Sequence, residues 1–127
     1  MTQPLWIEER DALVLHDRLL ALHGGAAGVR DNALLKSALA RPQQIDAYAD
    51  SPDWIDLAAA YTAGIVRNHP FIDGNKRTGF VVGILFLELN GYRFSANEAD
   101  AAQAVLALAA GTLDEAGYAA FLRANSG

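Results

Sequence analysis

Cysteine is absent from the 127 residues, which excludes disulfides, thiolate metal sites and a cysteine nucleophile, and agrees with a reducing compartment. Positive charge is scarce: ten Lys and Arg against fifteen Asp and Glu leave a net charge of -5. That is the wrong sign for a protein whose main task is gripping a phosphate backbone, so no nucleic acid partner is expected. Long hydrophobic runs are missing too. Long uncharged stretches, such as those between Arg77 and Glu88 and between Asp100 and Asp114, fall short of the roughly 18 apolar residues a membrane helix needs, so no membrane partner is expected. Met1 to Arg10 lacks a basic stretch followed by a long apolar run, which argues against a secretion signal and for a cytoplasmic location. What is present suffices for one core. Hydrophobic residues make up 52% and charged residues 20% of the chain, so it is expected to fold as a single domain over residues 1–127 rather than as a multidomain enzyme.

Richness in alanine and leucine favours helix, and the pattern predicts an all-α fold: a single compact bundle of about six helices around a central apolar helix. Glu8 to His23 carries apolar Ala12, Leu13, Leu15, Leu19, Leu20 and Leu22 at helical spacing before Gly24 and Gly25 stop it. Asp31 caps a short second helix from Asn32 to Arg41, which Pro42 is expected to end, leaving Pro42 to Ser51 as a loop. Ser51, Pro52 and Asp53 read as a capping hydroxyl, a proline at the first helical position and an acid at the positive dipole end of a third helix running to about Asn68. A fourth spans about Asn75 to Asn90. With Phe80, Val81, Val82, Ile84, Leu85, Phe86, Leu87 and Leu89 it has almost no polar face, and is expected at the centre of the bundle. Tyr92 to Phe94 reads as a short extended link. Two capping boxes, Ser95 with Glu98 and Thr112 with Glu115, are expected to open the last two helices.

Between the third and fourth helices lies His69-Pro70-Phe71-Ile72-Asp73-Gly74-Asn75-Lys76-Arg77. Pro70 disfavours helix at His69 and so sets the imidazole just beyond a helix end. Asp73 is a hard carboxylate suited to Mg²⁺, which takes one or two protein carboxylates together with substrate phosphates. Gly74 lets backbone approach an anion. The free amides of Gly74, Asn75 and Lys76 open a helix, and Lys76 and Arg77 add formal charge, so the segment reads as a nucleotide phosphate cradle. Taken singly, each residue has a plain explanation: a capping histidine, an ordinary turn, a solvated pair of cations. None of these explains why a base, a metal-type acid, a glycine and two cations meet in one loop. Phe71 fits none of these roles and is expected to anchor the loop in the core.

The stretch His69 to Phe80, HPFIDGNKRTGF, resembles the signature of the Fic and Doc families, and of the death-on-curing toxins of type II toxin-antitoxin modules in particular. Gly28-Val29-Arg30-Asp31, Ser37 to Pro42 and Asn90-Gly91-Tyr92 also resemble this family. The resemblance implies a catalytic base at His69, a metal ligand at Asp73, and phosphate held by Gly74 and by backbone and side chain of Asn75, with Lys76 and Arg77 neutralising charge. ATP and Mg²⁺ are the implied cofactors. Fic proteins that transfer AMP usually have a second glycine where this chain has Lys76 and an arginine where it has Phe80. The resemblance therefore implies ATP presenting its γ-phosphate, and phosphorylation of a protein hydroxyl: a kinase toxin acting on a translation factor such as elongation factor Tu, at a threonine. AMP transfer is the alternative within the same fold, and a non-catalytic nucleotide- or anion-binding module is the alternative from another class. Gln43 to Tyr48 falls where Fic-like folds carry a flap that aligns the target. The inhibitory motif of self-regulated Fic proteins, Ser or Thr followed after three residues by Glu and then Gly or Asn, does not occur in this chain. Inhibition is thus expected from a cognate antitoxin with a disordered tail that folds into a groove beside the cradle.

Overall fold

A computed structural model describes residues 3–50 and 52–127. Six helices follow one another among them: α1 Glu9–His23, α2 Asn32–Tyr48, α3 Trp54–Asn68, α4 Asn75–Leu89, α5 Glu98–Ala110 and α6 Glu115–Ala124. Extended pairing is confined to two isolated antiparallel bridges, Val29 with Phe71 and Phe94 with Ser126. The all-α expectation of about six helices is met. No described helix is long and apolar enough to cross a membrane.

The central helix is α3 rather than α4. Every residue from Leu57 to Val66 is buried, because Ala58, Ala59, Ala60, Ala63 and Gly64 are small enough for α2, α4, α5 and α6 to close around one axis. α4 buries only one face, with Thr78, Val82, Phe86 and Leu87 inside. Of its other apolar residues, Phe80 and Ile84 are half-buried and line a cavity. Apolar all round therefore means, for α4, one face for the core and one for the site. Gly79 and Gly83 bring the two helices together: a Cβ on Gly79 would stand 3.2 Å from the Thr62 carbonyl, and one on Gly83 would stand 3.0 Å from the Ala58 carbonyl. The Thr62 hydroxyl donates to the Gly79 carbonyl at 2.7 Å across this contact. Tyr61 of α3 and Phe86 of α4 pack with ring centroids 5.2 Å apart, and Trp6 also stacks on Phe86.

Helix boundaries depart from the sequence reading where tertiary partners intervene. α2 does not end at Arg41 but runs through Pro42 to Tyr48, so Gln43 to Tyr48 is helix and not loop. The bond Pro42 cannot make belongs to the Ala38 carbonyl, which lies against Gly64 of α3. Burial of Leu39 and Pro42, packing of Ile45 and the fork of Arg41 on Glu115 of α6 outweigh an interior proline's cost of about 3 kcal/mol. α3 is capped by Asp53, whose carboxylate accepts from the Ile55 N–H at 3.0 Å. The expected cap, Ser51, lies outside the described residues. Both capping boxes are displaced by two residues. Ser95 is held in an extended segment by its N–H on the Asn125 carbonyl (2.7 Å), so α5 starts at the Asn97 cap, which accepts from Asp100. The Thr112 hydroxyl donates back to the Ala107 carbonyl at the end of α5, and Asp114 caps α6 by accepting from Gly117.

Candidate active site

His69 is the C-cap of α3, at φ 52 and ψ 54, and among the described residues it is the one non-glycine with a positive φ. Such backbone costs about 1 to 3 kcal/mol and persists only where its surroundings fix it. Here buried Pro70 ends the helix, and its carbonyl accepts from the N–H groups of Arg30 (2.6 Å) and Asp31 (3.0 Å). The Arg30 guanidinium reaches over the end of α3, donating through Nε to the His69 carbonyl at 2.7 Å and through Nη2 to the Asn68 carbonyl at 2.9 Å. One turn on, Ile72 donates its N–H to the Gly28 carbonyl at 3.1 Å. The Gly28 to Asp31 stretch thus clamps the loop that carries the imidazole, while Asp31 also caps α2 by accepting from Leu34. The His69 side chain itself is exposed.

Phe71 is fully buried, as expected of an anchor. Asn75, also buried, brackets it: the side-chain oxygen accepts from the Phe71 N–H at 2.9 Å and the side-chain nitrogen donates to the Phe71 carbonyl at 3.0 Å. The Asn75 amide group therefore shapes the loop from the core side. Gly74, at φ 79, makes the turn into α4 in a conformation that suits only glycine well.

Beyond this turn opens a cavity of about 720 Å³ that brings together His69, Asp73, Gly74, Asn75, Lys76 and Arg77. Asp73 points its carboxylate toward the α1–α2 turn, accepting from the Gly74 N–H at 2.8 Å and the Ala26 N–H at 3.3 Å. A Cβ on Gly25 would stand 2.8 Å from Asp73 Oδ2, so the close approach of that turn needs a glycine. The Gly74 amide is thereby engaged. The amides of Asn75, Lys76 and Arg77 have no acceptor among the described residues, and the α4 ladder starts with the Thr78 N–H on the Gly74 carbonyl. Three open N–H groups, the dipole of a 15-residue helix and two exposed cations that take part in no ion pair among the described residues make an anion site. Farther along, the wall is apolar, with Phe80 and Ile84 of α4 facing Phe94 and Val105, and Glu88 and Glu98 stand at the acidic rim.

The donor set also tests the implied Mg²⁺. No group of three or more metal-ligating side chains occurs among the described residues, so an all-protein metal cage is excluded there. A single carboxylate beside an anion site is the arrangement of a hard cation shared with substrate phosphates, and Asp73 fits it. The cavity volume lies in the range of small-molecule sites.

Two residues outside the expected set belong to this site. Arg30 acts as the clamp just described. His16 of α1 is buried and stacks on Phe71, with ring centroids 3.8 Å apart and 10° between planes. A sequence signal for it exists: His16 lies four residues after Ala12 and four before Leu20, on the apolar stripe of α1.

The family described as Fic/DOC matches residues 6–87 of this chain. A toxin Doc of Mycolicibacterium smegmatis is 44% identical over 78 residues, covering 58% of this chain and 58% of that protein. A protein kinase doc of Escherichia phage P1 is 33% identical over 85 residues, covering 67% of this chain and 68% of that protein. The chain thus spans somewhat more than half the length of the first relative and about two thirds of the second.

Proposed function

The chain belongs to the Fic/DOC family, and from that premise we propose that it is the toxin of a toxin-antitoxin pair and moves the γ-phosphoryl group of ATP to a hydroxyl of a target protein. The observation that carries the reading is the meeting of His69, Asp73, Lys76 and Arg77 with three open amides at the mouth of one cavity. An anion-binding module has no use for an exposed base held in strained backbone beside its anion. The relatives named toxin Doc and protein kinase doc support both halves of the proposal.

His69 takes the proton of the target hydroxyl as that oxygen bonds to phosphorus. The bond from phosphorus to the bridging oxygen breaks, and the charge left on the departing diphosphate is met by Lys76, Arg77 and the amides of Asn75, Lys76 and Arg77. Asp73 would hold Mg²⁺, whose contribution when bound is to align phosphate oxygens and offset their charge. Arg30 keeps the His69 backbone from relaxing. Lys76 and Phe80 favour phosphoryl over AMP transfer: both line the cavity, and Phe80 packs edge-on against Phe94 with centroids 5.8 Å apart, leaving no cationic fork along the apolar wall. That wall suits the apolar side of an antitoxin tail. A translation factor such as elongation factor Tu, at a threonine, is the proposed target.

The test is incubation of the purified chain with a cell extract and ATP labelled at either the α or the γ phosphate, followed by the mass of the modified protein. Label from the γ position and a gain of about 80 Da are expected. A gain of about 329 Da with α label replaces the kinase reading with AMP transfer.

A further inference from the structure

His16 touches the cradle from behind, and the transfer chemistry has no use for it. It is 2% exposed, and its Nε2 lies 2.8 Å from the backbone carbonyl oxygen of Asp73. A carbonyl offers only lone pairs, so the contact is a hydrogen bond when Nε2 carries the proton. No other donor among the described residues bonds this carbonyl. Its position in the chain gives the contact meaning. In a helix extended one residue backwards, the Asp73 carbonyl would accept from the Arg77 N–H, four residues on. α4 forgoes that bond and starts instead at Thr78. Gly74, at φ 79, makes the kink possible, and His16 gives the inward-turned carbonyl its partner.

We propose that His16 is a positioning residue of the phosphate cradle: its Nε2–H holds the Asp73 carbonyl in the core and so keeps the Arg77 amide, beside those of Asn75 and Lys76, open to an anion. The same bond fixes the backbone unit that carries the Asp73 side chain. The stack on Phe71 sets the ring plane that aims Nε2 at the carbonyl. The inference rests on reading this loop as a phosphate site.

Inorganic pyrophosphate without Mg²⁺ is the probe, titrated calorimetrically into wild type, His16→Gln and His16→Phe. Glutamine places a donor close to where Nε2 stands and should bind as wild type does. Phenylalanine keeps the ring on Phe71 but has no donor, and should bind about tenfold more weakly, the effect of one hydrogen bond to a charged group. Equal binding by folded His16→Phe overturns the inference. So does a wild-type imidazole protonated on Nδ1 instead of Nε2, read from its nitrogen chemical shifts. That measurement needs no variant and decides the matter even where His16→Phe does not fold. Wild type that binds no pyrophosphate overturns the phosphate reading of the loop and this inference with it, which tells the two failures apart.

Discussion

Strain and duty coincide at His69. Its left-handed backbone is the kind that glycine adopts at little cost, yet an imidazole stands there, clamped by Arg30 and Pro70. Replacing it should therefore separate stability from activity. His69→Gly is expected to leave the melting midpoint unchanged or raise stability by up to about 1 kcal/mol, while transfer to the target falls at least about 100-fold. Urea denaturation beside a labelled-ATP assay checks both, and retained transfer would remove the imidazole from the chemistry. Asp73→Asn keeps the shape of the turn and its acceptor for the Gly74 N–H, but loses the charge a hard cation needs. It should weaken ATP binding in the presence of Mg²⁺ and change it little without, as calorimetry can show. At this scale the sequence was informative wherever function depends on neighbours along the chain. His69, Asp73, Lys76 and Arg77 all reach one cavity because one loop and one helix start carry them. The buried roles of Asn75 and His16 depend on which way the loop folds against α1, and adjacency in sequence carries no trace of that.

The α3–α4 pair is the element that joins core to site, since the loop between them is the site's own backbone. Its spacing is set by Gly79 and Gly83 against Ala58, Thr62 and Val66. Gly83→Ala drives a methyl group toward the Thr62 side chain and the Ala58 carbonyl, and is expected to cost about 1 to 3 kcal/mol through overpacking. The cavity mouth should widen with it, so binding of ATP should weaken too. Chemical denaturation and a titration on the same preparation test this, and full affinity in a destabilised variant would show that the cradle does not depend on helix spacing. Helix existence was readable from apolar periodicity and capping residues, and α1 to α4 each start or end where the sequence places them. Pro42 misleads because its ring is buried in a packed interface, where burial overrides the local penalty. Ser95 and Thr112 mislead because a paired C-terminal segment and the end of α5 claim them before a helix start can.

For the molecule as a whole, alkaline pH is the informative stress. Burial pushes the phenols of Tyr61 and Tyr118 from 10.0 up to about 12. An unfolded chain loses these protons first, so the stability they add is fully present below pH 10 and drains away as the pH rises through 12. On the order of 2 kcal/mol for each is at stake. Helical circular dichroism should therefore collapse in this window, together with a rise in tyrosinate absorbance, and phenols that ionise while the helices stay intact would contradict the buried assignment.

Charge is distributed unevenly over the same molecule. A body carrying -5 presents exposed Lys76 and Arg77 at one end of a cavity whose other rim is acidic. A polyanion thus meets repulsion at a distance and attraction only over the last steps, within the roughly 10 Å that 0.1 M salt leaves unscreened. Entry and residence should then answer to salt in opposite directions: moderate ionic strength quickens the arrival of a triphosphate while it shortens the stay, so stopped-flow association and dissociation rates would both rise with salt, where a uniformly basic pocket would slow association as it sped dissociation.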